Sequence, residues 1–355
     1  TPLPNRLFRN VSEPGGPLRF VDITESSGAG ETGYGVGTCF GDVDNDGWTD
    51  IYVTNLDQDA LLRNLGADES GQVRFENTTA VAGIDSPRFG SSCAFADYDR
   101  DGCLDLFVVN FVDFTLENNL RCGTEEVPAY CSPDVYDGLP DQLYRGRCDG
   151  TFEDVSDAAG VANRDPEQSK GLGALWTDFD DDGDLDLYVA NDSTRNFLYR
   201  NGGDGRFEDV AIYAGAAFND RGETEASMGV DAGDFDGDGR LDLFMTHLDF
   251  ESNTLYRNTG NSLYLDSSAV SGLATPSATR VGFGTNFFDF DHDGDADVFV
   301  ANGHILDNAG LRNPMLSYEQ PNQLYENVGG RFVDASGRAG PHFARLRVGR
   351  ASATG

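Results

Sequence analysis

Short apolar runs punctuate the chain at 51–53, 106–109, 187–189, 243–245 and 298–300. Each is too short for a helix, and continuous apolarity over so few residues predicts a strand buried on both faces. Before each run comes a small, Gly-rich stretch: 35–40, 90–95, 171–176, 228–232 and 281–288, with a sixth at 348–355. After each run come two further strand patterns. One is a Leu-Tyr-Arg-Asn element at 6–10, 61–64, 143–146, 198–201, 255–258 and 324–327. The other is an aromatic-x-Asp element at 20–22, 152–154, 207–209, 264–266 and 332–334, with Phe75-Glu-Asn77 as its variant. In order these are strand positions A (Gly-rich), B (apolar), C and D. Four short strands per unit of about 55 residues predict an all-β fold, a β-propeller of four-stranded antiparallel blades. The B strands are expected between blades, and the Gly-rich A strands near the axis, where backbones crowd.

Between A and B of every complete unit lies an acidic loop. The copies place carboxylates at Asp42, Asp44, Asp46 and Asp50; at Asp97, Asp99, Asp101 and Asp105; at Asp178, Asp180, Asp182 and Asp186; at Asp234, Asp236, Asp238 and Asp242; and at Asp289, Asp291, Asp293 and Asp297. Loop positions 1, 3, 5 and 9 are thus Asp in all copies, and position 6 is Gly47, Gly102, Gly183, Gly239 or Gly294. Alternate aspartates aim oxygens into one concavity, and the glycine permits the sharp turn. That is the donor set of a hard cation, and calcium takes six to eight oxygens. An EF-hand would need a Glu at position 12 and flanking helices; these loops run straight into strands. A single copy would read equally well as a solvated turn. Five in register predict about five calcium ions, held by these twenty aspartates.

The strand tally is six A, six C and six D against five B. A sixth loop and B strand are therefore expected beyond residue 355. The N-terminal C and D strands would complete the blade that the C-terminus begins and so remove the sheet edges. Six blades are countable, seven if the natural chain continues, and residues 1–355 are expected to form one propeller domain. One unit is longer, with an insertion at about 111–139 between B and C; a second B-to-C insertion spans 303–321.

The chain carries 61 acidic and 25 basic residues, a net charge of -36. Such a balance argues against nucleic acid or an anionic membrane surface as partner. No apolar run is long enough to span a membrane. Six cysteines and no Cys-x-x-Cys pair argue for disulfides and an extracellular, cell-surface or periplasmic setting. Cys122 and Cys131 would staple the first insertion. Cys103 in an A–B loop and Cys148 in the C–D turn of the same unit share one end of a sheet. Cys39 and Cys93 lie on neighbouring A strands with opposite side-chain parity, as facing blades require. The expected bridges are 39–93, 103–148 and 122–131.

The Asp-x-Asp-x-Asp-Gly loops, Gly282-Phe-Gly284 and the string from Asn196 to Val210 together resemble the FG-GAP/VCBS repeat, the blade also found in integrin α-subunit propellers. The combination is most similar to the cartilage-acidic-protein/UnbV type, which commonly adds a C-terminal ASPIC/UnbV module. The resemblance implies a secreted, calcium-stabilised propeller and leaves the ligand open.

The chain has no His-Glu-x-x-His, Gly-x-Ser-x-Gly or phosphate-cradling loop. His247 and His304 follow B strands at the rim opposite the acidic loops, where a two-histidine metal or acid–base site is conceivable; His292 sits at loop position 4. Trp48 and Trp176 read as packing residues. Asn10, Asn77 and Asn191 open glycosylation triplets. The function expected is a calcium-binding module for a protein or glycan ligand. The alternatives are a propeller-scaffold enzyme (a polysaccharide lyase, or a metal-dependent oxidase or cyclase) and a subunit of an extracellular filament.

Overall fold

In the computed structural model, which describes residues 3–354, every apolar run becomes the second strand of a four-stranded antiparallel meander. Blade one comprises Gly35–Gly41, Asp50–Asn55, Ala60–Ala67 and Val73–Asn77. Blade two comprises Gly90–Ala96, Asp105–Asn110, Gln142–Gly146 and Phe152–Asp154. Blade three comprises Gly171–Thr177, Asp186–Asn191, Phe197–Asn201 and Phe207–Asp209. Blade four comprises Val230–Gly233, Asp242–Met245, Thr254–Asn258 and Tyr264–Asp266. Blade five comprises Gly282–Phe288, Asp297–Asn302, Gln323–Asn327 and Phe332–Asp334. Ahead of them Phe8–Asn10 pairs with Phe20–Asp22 as an isolated C–D hairpin.

The sixth A strand expected at 348–355 is not a strand among the described residues, and Gly355 lies outside them. Its backbone runs beside blade five: Gly349 N–H donates to Asn302 O at 2.8 Å, and Gly284 N–H to Arg350 O at 3.1 Å. A ladder needs a partner along its whole length, and these few bonds do not make one. The described sheets are therefore five complete blades and one C–D hairpin.

The core sits between blades rather than within them. B strands are buried end to end in blades one to four. Tyr188 of blade three packs with Leu243, Met245 and Tyr256 of blade four, and Phe244 of blade four with Val298, Val300 and Tyr325 of blade five. Each such side chain contributes about 2 kcal/mol by leaving water. Most buried tyrosines also reach a polar partner: Tyr188 donates to Ala216 O at 2.8 Å and Tyr256 to Phe218 O at 2.7 Å. The Gly-rich A strands do crowd one another. A Cβ on Gly173 would stand 2.3 Å from Met228 O, and one on Gly229 would stand 2.0 Å from Phe283 O.

The aromatic-x-Asp element ends its strand by a local device. The side chain of Asp22, Asn77, Asp154, Asp209, Asp266 or Asp334 accepts the N–H two residues on at 2.9–3.1 Å, an Asx turn. A single helical turn follows in four units, as in Ser156–Ala159, and stops at a left-handed glycine, Gly28, Gly83, Gly160 or Gly215. These glycines are required twice over. Their φ is positive, and a Cβ would fall 2.6–3.1 Å from the carbonyl of the next blade's D-strand aromatic.

The two insertions meet. The first folds around Cys122–Cys131 with a hairpin at Cys122–Gly123 and Pro128–Ala129. Asn308 of the second donates its Nδ2 to Pro128 O at 2.6 Å, and Ala129 packs on Leu306, Ala309 and Leu316. Lys170, the chain's one lysine, is buried and reaches Asp134 in the first insertion at 3.5 Å.

Candidate metal centres

The five acidic loops share one backbone. The residue at position 4 is left-handed in every copy: Asn45, Arg100, Asp181, Gly237 and His292 have φ between 55° and 72°. Position 6 is left-handed too, at 86° to 95°. Two such residues two apart curl the loop around its own N–H groups. The first aspartate receives two of them. Its Oδ1 accepts from position 5 at 3.0–3.2 Å and its Oδ2 from position 6 at 2.8–3.1 Å. The position-5 aspartate turns back to accept the N–H of position 7 at 2.8–3.0 Å.

The last aspartate ties the loop to the sheet. One oxygen of Asp50, Asp105, Asp186, Asp242 or Asp297 accepts the N–H of position 2 at 2.7–3.1 Å. The other accepts from strand C, at Asn64, Gly146, Asn201, Asn258 or Asn327, at 2.7–2.9 Å. In blades three to five the same strand-C asparagine also crosses to the preceding blade's loop. Asn201 donates to Tyr98 O, Asn258 to Phe179 O and Asn327 to Phe235 O, at 2.7–3.0 Å.

With positions 1 and 9 so fixed, carboxylate oxygens converge. Those of Asp42, Asp44 and Asp50 lie within 4.8 Å of one another, as do those of Asp178, Asp180 and Asp186, of Asp234, Asp236 and Asp242, and of Asp289, Asp291 and Asp297. The second loop gathers Asp97, Asp99 and Asp101 instead. Asp46, Asp182, Asp238, Asp293 and Asp105 complete the twenty expected positions but lie outside these sets of three. Such crowding is unfavourable to charge. Burial pushes Asp105 and Asp186 up to about 7 and Asp242 to about 6, against the pull of their N–H donors, and neighbouring loop carboxylates add to the rise. Asp50 and Asp297 move the same way for the same causes. A bound cation would reverse the balance, because it favours the ionised form.

Strand C supplies a counter-charge that the sequence reading passed over. The arginine of Leu-Tyr-Arg-Asn reaches the position-3 aspartate in three blades. Arg63 pairs with Asp44, Arg145 with Asp99 at 2.8 Å and Arg257 with Asp236 at 3.3 Å. Arg200 turns to Glu208 instead, at 2.7 Å. Blade five has Glu326 at this place, paired with Arg338. The signal was visible in the repeat alignment: one column is Arg in four blades and Glu in the fifth.

The cysteines bridge as 39–93, 103–148 and 122–131. Cys103–Cys148 fastens position 7 of the second loop to the C–D turn. The rim histidines engage different carboxylates. His304 accepts the Leu306 N–H at Nδ1 (2.9 Å) and sets Nε2 3.1 Å from Asp249. His247 Nε2 stands 3.8 Å from Glu225. Trp176 stacks on Tyr98, and Trp48 is 43% exposed with its ring against Gly66. Asn191 is fully buried.

The FG-GAP-like repeat family matches residues 42–108, 178–245 and 234–300, more than half of the chain. Human cartilage acidic protein 1 is 29% identical over 189 residues, which is 47% of this chain and 25% of that protein. The Xenopus tropicalis protein of the same name is 30% identical over 176 residues, covering 47% and 26%. The chain thus spans about a quarter of the length of these relatives. Among solved structures, the rhamnogalacturonan lyase YesW aligns over 93% of this chain and 53% of its own, at 14% identity and a TM-score of 0.42. No helix among the described residues is long and apolar enough to cross a membrane.

Proposed function

We propose, from the premise that this chain belongs to the FG-GAP-like repeat family, that it is a calcium-stiffened binding module working outside the cytoplasm. The observation that carries this reading is the convergence of three carboxylates within 4.8 Å in all five loops, on a backbone that is the same each time. Calcium would sit among positions 1, 3 and 9, or 1, 3 and 5 in the second loop. Its part is structural: it offsets repulsion that burial makes severe and holds loop to strand C. Three disulfides support an oxidising compartment.

The ligand face of this proposal is the pair of joined insertions at the opposite rim. They present Tyr130, Ile305, Leu311 and Met315 to solvent from a disulfide-stapled base. Large exposed side chains on a braced loop suit a protein or glycan surface. Calorimetric titration of the calcium-stripped protein tests the first half: about five equivalents are expected, and absence of binding at millimolar calcium sinks it. A glycan array and a screen of purified proteins, each repeated with Leu311→Asp and Met315→Asp, test the second. Any ligand of this face should bind the variants at least tenfold more weakly. Equal binding would move the ligand site elsewhere.

A further inference from the structure

Strand C of blades two to five carries a tyrosine after its leucine: Tyr144, Tyr199, Tyr256 and Tyr325; blade one has Leu62 there. Three of the four hydroxyls are satisfied by the connection that arrives from the preceding blade. Tyr144 donates to Asp85 O at 3.0 Å, Tyr199 to Val161 O at 3.3 Å and Tyr256 to Phe218 O at 2.7 Å. Each of those connections turns at a left-handed glycine, Gly83, Gly160 or Gly215.

Blade five departs from this. Its incoming connection stays right-handed at Ala278 after the helical turn Ala274–Ser277, and no carbonyl reaches Tyr325. That hydroxyl is buried without a partner. A second donor is stranded beside it. Arg280 stands two residues ahead of the A-strand glycine Gly282, as Arg88 stands ahead of Gly90. Arg88 donates to Pro140 O at 3.2 Å. Arg280 makes no side-chain hydrogen bond or ion pair among the described residues, and its Nε is buried. Burial and Asp334 push the Tyr325 phenol up while the charge of Arg280 pulls it down, which makes guanidinium and hydroxyl near neighbours. Buried donors left this way are costly, and blade two satisfies both.

Arg280 lines a cleft of about 520 Å³, within the range of small-ligand sites. Arg338 adds a second cation to its wall but is paired with Glu326; Asp334, which accepts the Ser336 N–H at 2.9 Å, is the carboxylate there. Asn322 and Ser336 offer polar atoms, and Phe343 and Leu346 an apolar side. A cleft against the same ends of strands C and D on blade four is lined by Glu225 and Glu251 instead. The charge therefore belongs to blade five and not to the fold.

We propose that this cleft binds an acidic sugar residue, a uronate, with Arg280 holding its carboxylate. A guanidinium matches a carboxylate bidentately. Arg280 is the unpaired cation of the wall, so one carboxylate matches it, and a uronate brings that charge together with hydroxyls for Asn322 and Ser336 and a ring face for Phe343. An acidic peptide or a polyphosphate brings several charges to a chain of net charge -36, which repels them. Leu311 and Met315 lie outside this cleft, so failure here leaves the insertion face standing.

The test is calorimetric titration, in millimolar calcium and physiological salt, with tetrasaccharides of hyaluronan and of polygalacturonate. The same sugars with their carboxyls reduced, and tetraglutamate, are the comparisons. One equivalent of at least one acidic sugar is expected to bind, and its reduced form and the peptide at least tenfold more weakly. Arg280→Gln should weaken binding at least tenfold, and Arg206→Gln, at an exposed position on blade three, should not. Tyr325→Phe checks the premise without a ligand. It removes a partnerless hydroxyl and should leave Tm unchanged or higher, whereas Tyr256→Phe should lower it. The proposal is overturned if neither acidic sugar binds, if the reduced sugar or the peptide binds as well, or if Arg280→Gln binds as tightly as wild type. It also falls if Tyr325→Phe lowers Tm as far as Tyr256→Phe does.

Discussion

The second and fifth acidic loops have the same pattern of aspartates and the same backbone, and they are held by different means. The second is fastened covalently by Cys103–Cys148, and Arg145 lies on Asp99 and Asp101. Asn45 of the neighbouring loop donates to Gly102 O at 3.0 Å. The fifth has no bridge, and Glu326 replaces the arginine. One loop is organised by protein groups before any ion arrives. The other has neither the bridge nor the arginine, its Glu326 being paired with Arg338, and would rely more on a bound ion. A repeat thus fixes a shape, and single departures from it would set how far each copy depends on a bound cation.

Taken loop by loop, removing the covalent fastening should have the largest effect. A Cys103→Ser/Cys148→Ser double variant frees a loop spanning 45 residues in sequence, worth about 4 kcal/mol by chain entropy. Urea denaturation would measure it. Hydrogen exchange should then show the second loop opening as readily as the fifth; if it stays closed, the bridge is not what distinguishes them.

Calcium withdrawal comes next. At free calcium a hundredfold above Kd, each occupied site contributes about 2.7 kcal/mol. Chelation should lower Tm and speed exchange at 289–297 more than at 97–105, and equal protection in both loops would break the comparison. The pH dependence of the stripped protein follows in sign. Asp105 and Asp186 have folded values near 7, above the ordinary 3.8. Their contribution is full below 3.8 and lost as pH rises through 7. Denaturation midpoints should therefore be higher at pH 5 than at pH 8 without calcium, and this trend should shrink when calcium is added.

Exchanging the counter-charges is a smaller change. Arg145→Gln should tighten calcium at the second loop, and Glu326→Arg should weaken it at the fifth, each by up to tenfold, or about 1.4 kcal/mol. Site-resolved titration by NMR would separate them. Smallest of all, His292→Gly relieves a left-handed histidine and should stabilise the fifth loop by up to about 1 kcal/mol. Arg100→Gly should gain less, because it forfeits the 2.9 Å pair with Asp184.

Much of this was legible in the chain. Apolar runs gave the B strands, the recurring Leu-Tyr-Arg-Asn and aromatic-x-Asp elements gave C and D, and strand parity gave the Cys39–Cys93 bridge. Spacing predicted that positions 1, 3, 5 and 9 share one concavity; the structure gathers 1, 3 and 9 in four loops and 1, 3 and 5 in the second. Less legible was the backbone role of the ninth aspartate, because its partner on strand C is distant in sequence. The left-handed fourth position was masked by Arg100 and His292, which seldom adopt it. The strand expected at 348–355 failed because a pattern suited to pairing does not supply a partner. Nor could any local pattern show that residues 128 and 308 touch, since nothing in either insertion points to the other.

That last contact reports on how the molecule is put together. Pro128 and Asn308 are separated by 180 residues, and blades three and four lie wholly between them. Closing so long a span by chance is slow, but folding of the intervening blades would bring the two ends together. The contact between the insertions would therefore report that the blades between them have folded. An antibody that reads both sides of it would distinguish chains with blades three and four in place from chains stalled before that point.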